Sequence, residues 1–122
     1  MDSLSQLFAL LSEPSRMKLL VLLSQGEQCV CKLYEALEMQ QSTVSRHLML
    51  LRTAGLLSSK RVEQWVHYRL APELWKPEWQ KLLPDILTAA KKQYPELTLK
   101  QNGCQSVKSK KPAKNITSSV TL

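Results

Sequence analysis

The chain has 122 residues, with 17 Lys and Arg against 10 Asp and Glu for a net charge of +7, and 43% of it is hydrophobic, which suits one globular domain plus a tail and excludes wholesale disorder. Three cysteines are too few for a disulfide framework, and Asp2 stands where a secretory leader needs a basic region. The longest aliphatic run, Leu19-Leu20-Val21-Leu22-Leu23, is far short of a membrane span, so the expectation is a cytoplasmic protein with reduced cysteines and no membrane partner.

Leu4, Leu7, Phe8 and Leu11 recur at helical spacing and predict a short first helix. Ser12 is placed to cap a second helix, with Pro14 in its first turn, a buried face of Met17, Leu20 and Leu23 or their neighbours, and Gly26 as its stop after Gln25. A third helix over about Val30 to Glu38 puts Val30, Leu33 and Leu37 on one side. After a connection at Met39-Gln40-Gln41, Ser42 is the expected cap of a fourth helix that ends at Ala54-Gly55. The period then becomes two: Leu57 to Val62 and Trp65 to Leu70 read as a hairpin turning at Glu63-Gln64. Trp79, Leu82, Leu83, Ile86, Leu87 and Ala90 keep one helical phase across Pro84, which predicts a single last helix with a kink there.

The predicted fold is thus mainly α with a small β-hairpin, in the order α-α-α-α-β-β-α. Residues 1–96 are the expected folded domain, and 97–122 a basic, disordered tail. The first and last helices are too apolar for a lone domain of this size. Leu4, Leu7, Phe8, Leu11, Trp79, Leu82, Leu83, Ile86 and Leu87 are therefore the expected homodimer interface, the alternative being that they pack on the domain's own core.

Residues 101–122 carry four basic and no acidic side chains, more than half of the net charge, so a high pI says little about the folded part. Placement says more. Two helices joined by three residues resemble a helix-turn-helix, a weak pattern in itself. On the second of them Val44, Leu48 and Leu51 share the core side. The opposite side presents Ser42, Arg46, Met49 and Thr53, with Thr43 and Ser45 at the flanks and Gln41 just ahead of the cap as a further expected DNA contact, and no acid occurs between Met39 and Arg61. Short hydroxyls allow close approach, an Arg can fork onto guanine, and nothing repels phosphate, as a helix reading double-stranded DNA requires. Lys60, Arg61 and Gln64 would make the hairpin a basic wing beside it.

These runs, Glu27 to Leu33 with its Cys-Val-Cys-x-Leu, Gln41 to Leu48, Gly55-Leu56-Leu57 and Trp65 to Leu70, resemble the ArsR/SmtB family of winged-helix metalloregulatory repressors, in its arsenic-responsive branch. The similarity covers about residues 5–95. It implies a homodimer that represses a resistance operon from operator DNA and leaves it when As(III) or Sb(III) binds. The family's other metal site, on the last helix, uses Asp and His. Here that helix has Asp85 and no His, which argues against zinc there.

Cys29 and Cys31 are soft ligands suited to trivalent arsenic and antimony or to Cd(II), Zn(II) or Cu(I). They open the third helix, whose dipole favours thiolate, with Lys32 adjacent. In a regular helix, side chains at i and i+2 project about 200° apart. The expectation is therefore that ligand capture unwinds the first turn and moves the reading helix. The arsenic-sensing motif of the family has a third Cys three residues after the second, and that position is Tyr34. Cys104, a small thiol, a hydroxide or the carbon of a methylated arsenical are the open choices for the third place. No cofactor is expected for DNA binding. His47 is expected near the core edge of its helix, within reach of a phosphate, and His67 in the second strand; both are read first as structural. A cysteine-based redox sensor and a Cd/Pb sensor are the competing functions. No nucleophile–base pair, phosphate loop or carboxylate pair suggests an enzyme.

Overall fold

The computed structural model describes residues 2–97. Its elements are α1 (Ser3–Leu11), α2 (Pro14–Leu23), β1 (Gln28–Cys29), α3 (Val30–Leu37), α4 (Gln41–Thr53), β2 (Leu57–Val62), β3 (Trp65–Leu70), a 3-10 turn (Pro72–Leu74) and α5 (Pro77–Gln93). The helix order and the hairpin are as expected. The two-residue strand β1 is an addition. It pairs with β3 to make an antiparallel sheet of order β1-β3-β2, with Cys29 opposite His67 and Lys60 opposite His67 on the other side.

The helix boundaries differ from the expectation where a local backbone rule wins. Ser12 closes α1, its hydroxyl donating to the Ala9 carbonyl at 2.8 Å. Glu13 caps α2, accepting from the Ser15 N–H at 2.7 Å, because the residue before Pro14 is held extended. α3 ends at Glu38, which takes the left-handed conformation at φ 55° and turns Met39 N–H onto the Tyr34 carbonyl at 3.1 Å. That closure brings the connection forward by one residue, so Gln40 and not Ser42 is the N-cap of α4. Gly55, at φ +92°, terminates the stretch after α4 as expected.

α2 is the centre of the core. Leu19, Leu20, Val21, Leu22 and Leu23 are all buried, so this helix is covered on every side and is not the one-faced helix expected. α1, α3, α4 and α5 pack around it. Val44, Leu48 and Leu51 seat α4 in the core, as its period required. α5 runs unbroken across Pro84. The chain stays packed through Leu97, whose carbonyl accepts from Gln25 Nε2 at 2.9 Å, one residue beyond the expected domain end. The rest of the expected tail, with Cys104, lies outside the described residues.

The apolar stripes of α1 and α5 split into two halves. Leu7, Leu11, Trp79, Leu83 and Leu87 are buried within this one chain, which corrects their assignment to a dimer interface. A stripe spanning about 100° is wider than a single packing contact, so only its inner edge reaches the core. The outer edge stays open: Leu4 is 41% and Phe8 53% exposed, Leu82 is exposed, and Ile86 is half-buried. The two helices are tied together by the Trp79 indole N–H, which donates to the Ser3 carbonyl at 3.1 Å, and by the Ser3 hydroxyl, which donates to Glu78.

Candidate nucleic-acid interface and sulfur site

The outer side of α4 carries Gln41, Ser42 and Arg46 exposed and Thr43 and Ser45 half-buried at its flanks. Five arginines lie among the described residues, and their partners sort them. Arg16 Nε donates to the Leu10 carbonyl at 2.7 Å, Arg52 Nη1 to the Ser59 hydroxyl at 2.9 Å, and Arg69 to both Glu73 oxygens at 3.3 and 2.5 Å. Arg46 on α4 and Arg61 on β2 are exposed and, among the described residues, make no hydrogen bond or ion pair. Guanidiniums without an internal partner keep their donors for an external acceptor. Lys60 lies 3.5 Å from Glu27 Oε2 in an exposed pair, a weak tie that water and salt readily screen. Gln64 is exposed at the tip of the hairpin, beside Glu63 at φ 59°.

His47 does not join this face. Its Nδ1 accepts from Arg16 Nη1 at 3.3 Å and its Nε2 lies 3.9 Å from Glu13 Oε1. It therefore bolts α4 to the start of α2, which corrects its place among the DNA contacts and supports the structural reading. At Glu13, burial pushes the carboxyl pKa up, but the Ser15 N–H and the His47 charge outweigh it and hold the value below normal. His67 likewise lies 3.5 Å from Glu27 Oε2.

The two sulfurs of Cys29 and Cys31 are in direct contact and closed as a disulfide, with Cα atoms 5.5 Å apart. The expected unwinding is not needed. Cys29 lies outside the helix, in β1 and at the N-cap of α3, with extended backbone at φ −78° and ψ 156°, and only Cys31 is helical. The helical 200° separation therefore never applies, and the pair converges in the folded state. It is also hidden: Cys29 is 2% and Cys31 4% exposed. Tyr34 and Trp65 pack on the pair, and Tyr34 also touches the main core. Burial, with a smaller push from Glu35, raises the Tyr34 pKa, so its hydroxyl stays protonated. Lys32 points to Glu35, 3.8 Å away.

Residues 13–59 match the family model described as bacterial regulatory protein, arsR family. The chain is 46% identical over 81 residues to the arsenical resistance operon repressor of Escherichia coli K12, covering 66% of this chain and 68% of that one. It is 42% identical over 88 residues to the arsenic resistance transcriptional regulator ArsR2 of Pseudomonas putida, covering 71% and 75%. This chain belongs to the arsR family. Among solved structures, this arsR-family chain is similar to HlyU from Vibrio cholerae in its reduced form, at a TM-score of 0.62 and 26% identity over 75% of this chain and 88% of that one. It is also similar to the homodimeric winged helix-turn-helix DNA-binding domain of Mb0332 from Mycobacterium bovis, at a TM-score of 0.61 and 25% identity over 78% and 84%. The arsR-family chain is a winged helix-turn-helix DNA-binding transcriptional regulator and not an enzyme.

Within this arsR-family fold, α3 and α4 form the helix-turn-helix and β2 and β3 the wing. The residues the sequence reading did not assign to the sulfur site are its cover. Trp65 was legible only as a strand residue, and Tyr34 only as the occupant of an expected cysteine position. Their convergence on the sulfurs follows from the β1–β3 pairing, which a two-residue strand is too short to announce. Among the described residues no helix is long and apolar enough to cross a membrane.

Proposed function

We propose that this protein is a metalloid-responsive transcriptional repressor that binds operator DNA as a homodimer and dissociates when trivalent arsenic or antimony is captured by Cys29 and Cys31. The carrying observation is the sulfur pair converging at the junction of β1 and α3. The likeness to two named arsenic-resistance regulators supports arsenic as the effector. Gln41, Ser42, Thr43, Ser45 and Arg46 would enter the major groove, while Lys60, Arg61 and Gln64 meet phosphates. Leu4, Phe8, Leu82 and Ile86, the open edge of α1 and α5, would make the dimer contact, in keeping with the homodimeric relative. Coupling is short-range. Cys31 belongs to α3, which packs on α4, and Cys29 is hydrogen-bonded into the wing through β3. A ligand that resets the distance between the sulfurs therefore pulls on both DNA-contacting parts at once. The reading places the protein in the cytoplasm, where the pair is kept reduced.

The test is operator release followed by fluorescence anisotropy in the C29S/C31S double variant. Operator affinity is expected to stay within about twofold while arsenite-induced release disappears, in line with loss of both soft ligands that the described residues bring to the site. Arsenite still releasing the double variant would overturn the proposal. A second reading is favoured by the closed disulfide: a peroxide-class oxidant takes two electrons from the two thiols, giving the disulfide, water and an alcohol or second water. Release by peroxide without any metalloid distinguishes it, and Cd(II) and Pb(II) titrations cover the third option.

A further inference from the structure

The described residues contain three tryptophans, and their indole N–H groups are not equivalent. Trp75 Nε1 donates to the Leu56 carbonyl at 3.0 Å and Trp79 Nε1 to the Ser3 carbonyl at 3.1 Å. Trp65 Nε1 is buried and has no acceptor among the described residues. Buried donors are almost always paired, and one left unmade is destabilising unless something else satisfies it. Trp65 is also the indole that packs on Cys29 and Cys31.

The ligand count supplies what the donor lacks. A pyramidal As(III) centre takes three ligands, and this segment offers two sulfurs. Tyr34 stands where the third cysteine of the motif would, and it brings no sulfur. When arsenous acid, As(OH)3, meets the reduced pair, two As–S bonds form and two As–O bonds break. The two thiol protons leave with two hydroxyls as two waters, and arsenic stays trivalent. One hydroxyl oxygen remains on arsenic, carrying lone pairs.

We propose that Trp65 is a ligand-contacting, specificity-determining residue whose indole N–H donates to the oxygen retained on a trivalent metalloid hydroxide bound by Cys29 and Cys31. The inference rests on the thiol-pair reading and sharpens it. It fills the third place with hydroxide in preference to Cys104, a small thiol or a methyl carbon. Methylarsenite loses both hydroxyls to the same two thiols and leaves a methyl group, which accepts no hydrogen bond. The site should therefore favour the inorganic species, and Trp65 should be the reason.

The full chain on operator DNA is titrated with arsenite and with methylarsenite, read by anisotropy, as the native protein and as W65F. The Phe ring keeps the apolar cover and deletes the N–H. The arsenite midpoint is expected to rise about five- to tenfold, the scale of one hydrogen bond. The methylarsenite midpoint, an internal control for folding and thiol chemistry, should move by less than about twofold. Equal shifts for both ligands overturn the proposal. Should W65F lose operator binding, the indole N–H resonances of the native protein decide. Trp65 is assigned by its absence in the W65F spectrum. Its signal should move downfield with arsenite and not with methylarsenite, and an unmoved signal overturns the proposal. Arsenite response must also survive in C104S, since its loss would mean that a third sulfur replaces the hydroxyl. Failure of both arsenicals to release native protein sinks the thiol-pair reading itself, and no outcome of the Trp65 comparison can be mistaken for that result.

Discussion

Helix α4 and the sulfur site lie one helix apart and are assembled in opposite ways. α4 is thirteen regular residues whose core side is Val44, Leu48 and Leu51, so everything else on it is presented by phase alone. The sulfur site draws on β1, α3 and the first residue of β3, and it is buried where α4 is open. The difference separates recognition from sensing. A DNA-reading surface must face outward before its partner arrives, whereas a site proposed to hold a soft ligand gains from a packed apolar cover that limits access of bulk water. A pair held under Tyr34 and Trp65 also transmits more, because any change in it displaces packed neighbours.

Four perturbations test this division, in descending order of effect. The largest is C29S/C31S, already described: sensing vanishes while recognition stands. If operator binding falls with it, the two regions are not separable and the comparison fails. Next, Arg46→Ala is expected to weaken operator binding by about 1–3 kcal/mol with metalloid binding to the thiol pair unchanged, measured by anisotropy and by thiol titration. Arg46→Lys should recover only part of the loss, because Lys lacks the bidentate fork. An Arg46 variant with native affinity would remove α4 from the reading surface.

Smaller still is Arg61→Ala on the wing. A phosphate contact carries charge without sequence, so specific and non-specific affinity should drop together, and the slope of log affinity against log salt should shrink by about one. A change confined to specific sites would instead make the wing a base reader. The smallest concerns the fastening of α2 to α4 at Glu13, His47 and Arg16. The Glu13 carboxyl sits below its ordinary pKa in the folded chain, so its contribution is present above the unfolded value and is lost as pH falls through the folded one. Thermal melts of native protein and E13Q should differ at about pH 6 and converge toward about pH 3. A gap that widens on acidification would contradict the sign of that shift.

How far the site could be read in advance varied with its geometry. The helix-turn-helix and the wing were legible because their information is local: a 3.6 period, a switch to a period of two, and an acid-free stretch from Gln40 to Lys60. His47 was less legible, since a position at the edge of a helical face is ambiguous until Arg16 and Glu13 are seen beside it. The dimer candidates were ambiguous for the same reason. Leu4 and Leu7 belong to one stripe in sequence, and the width of the core contact alone places Leu7 inside and leaves Leu4 out.

The cysteine spacing shows the limit most clearly. Cys-x-Cys with soft-ligand chemistry is written in the chain, and so is the Tyr where a third cysteine would stand. Whether two sulfurs at that spacing diverge or meet depends on one backbone angle pair at Cys29. That residue is drawn into an extended conformation by pairing with His67, thirty-eight residues away. Residue types, helical phase and charge sign belong to the chain by itself, because they are read over a turn or two. The convergence of the sulfurs, their aromatic cover and the unpaired indole N–H belong to the tertiary structure. Each needs a contact between segments that no local periodicity encodes.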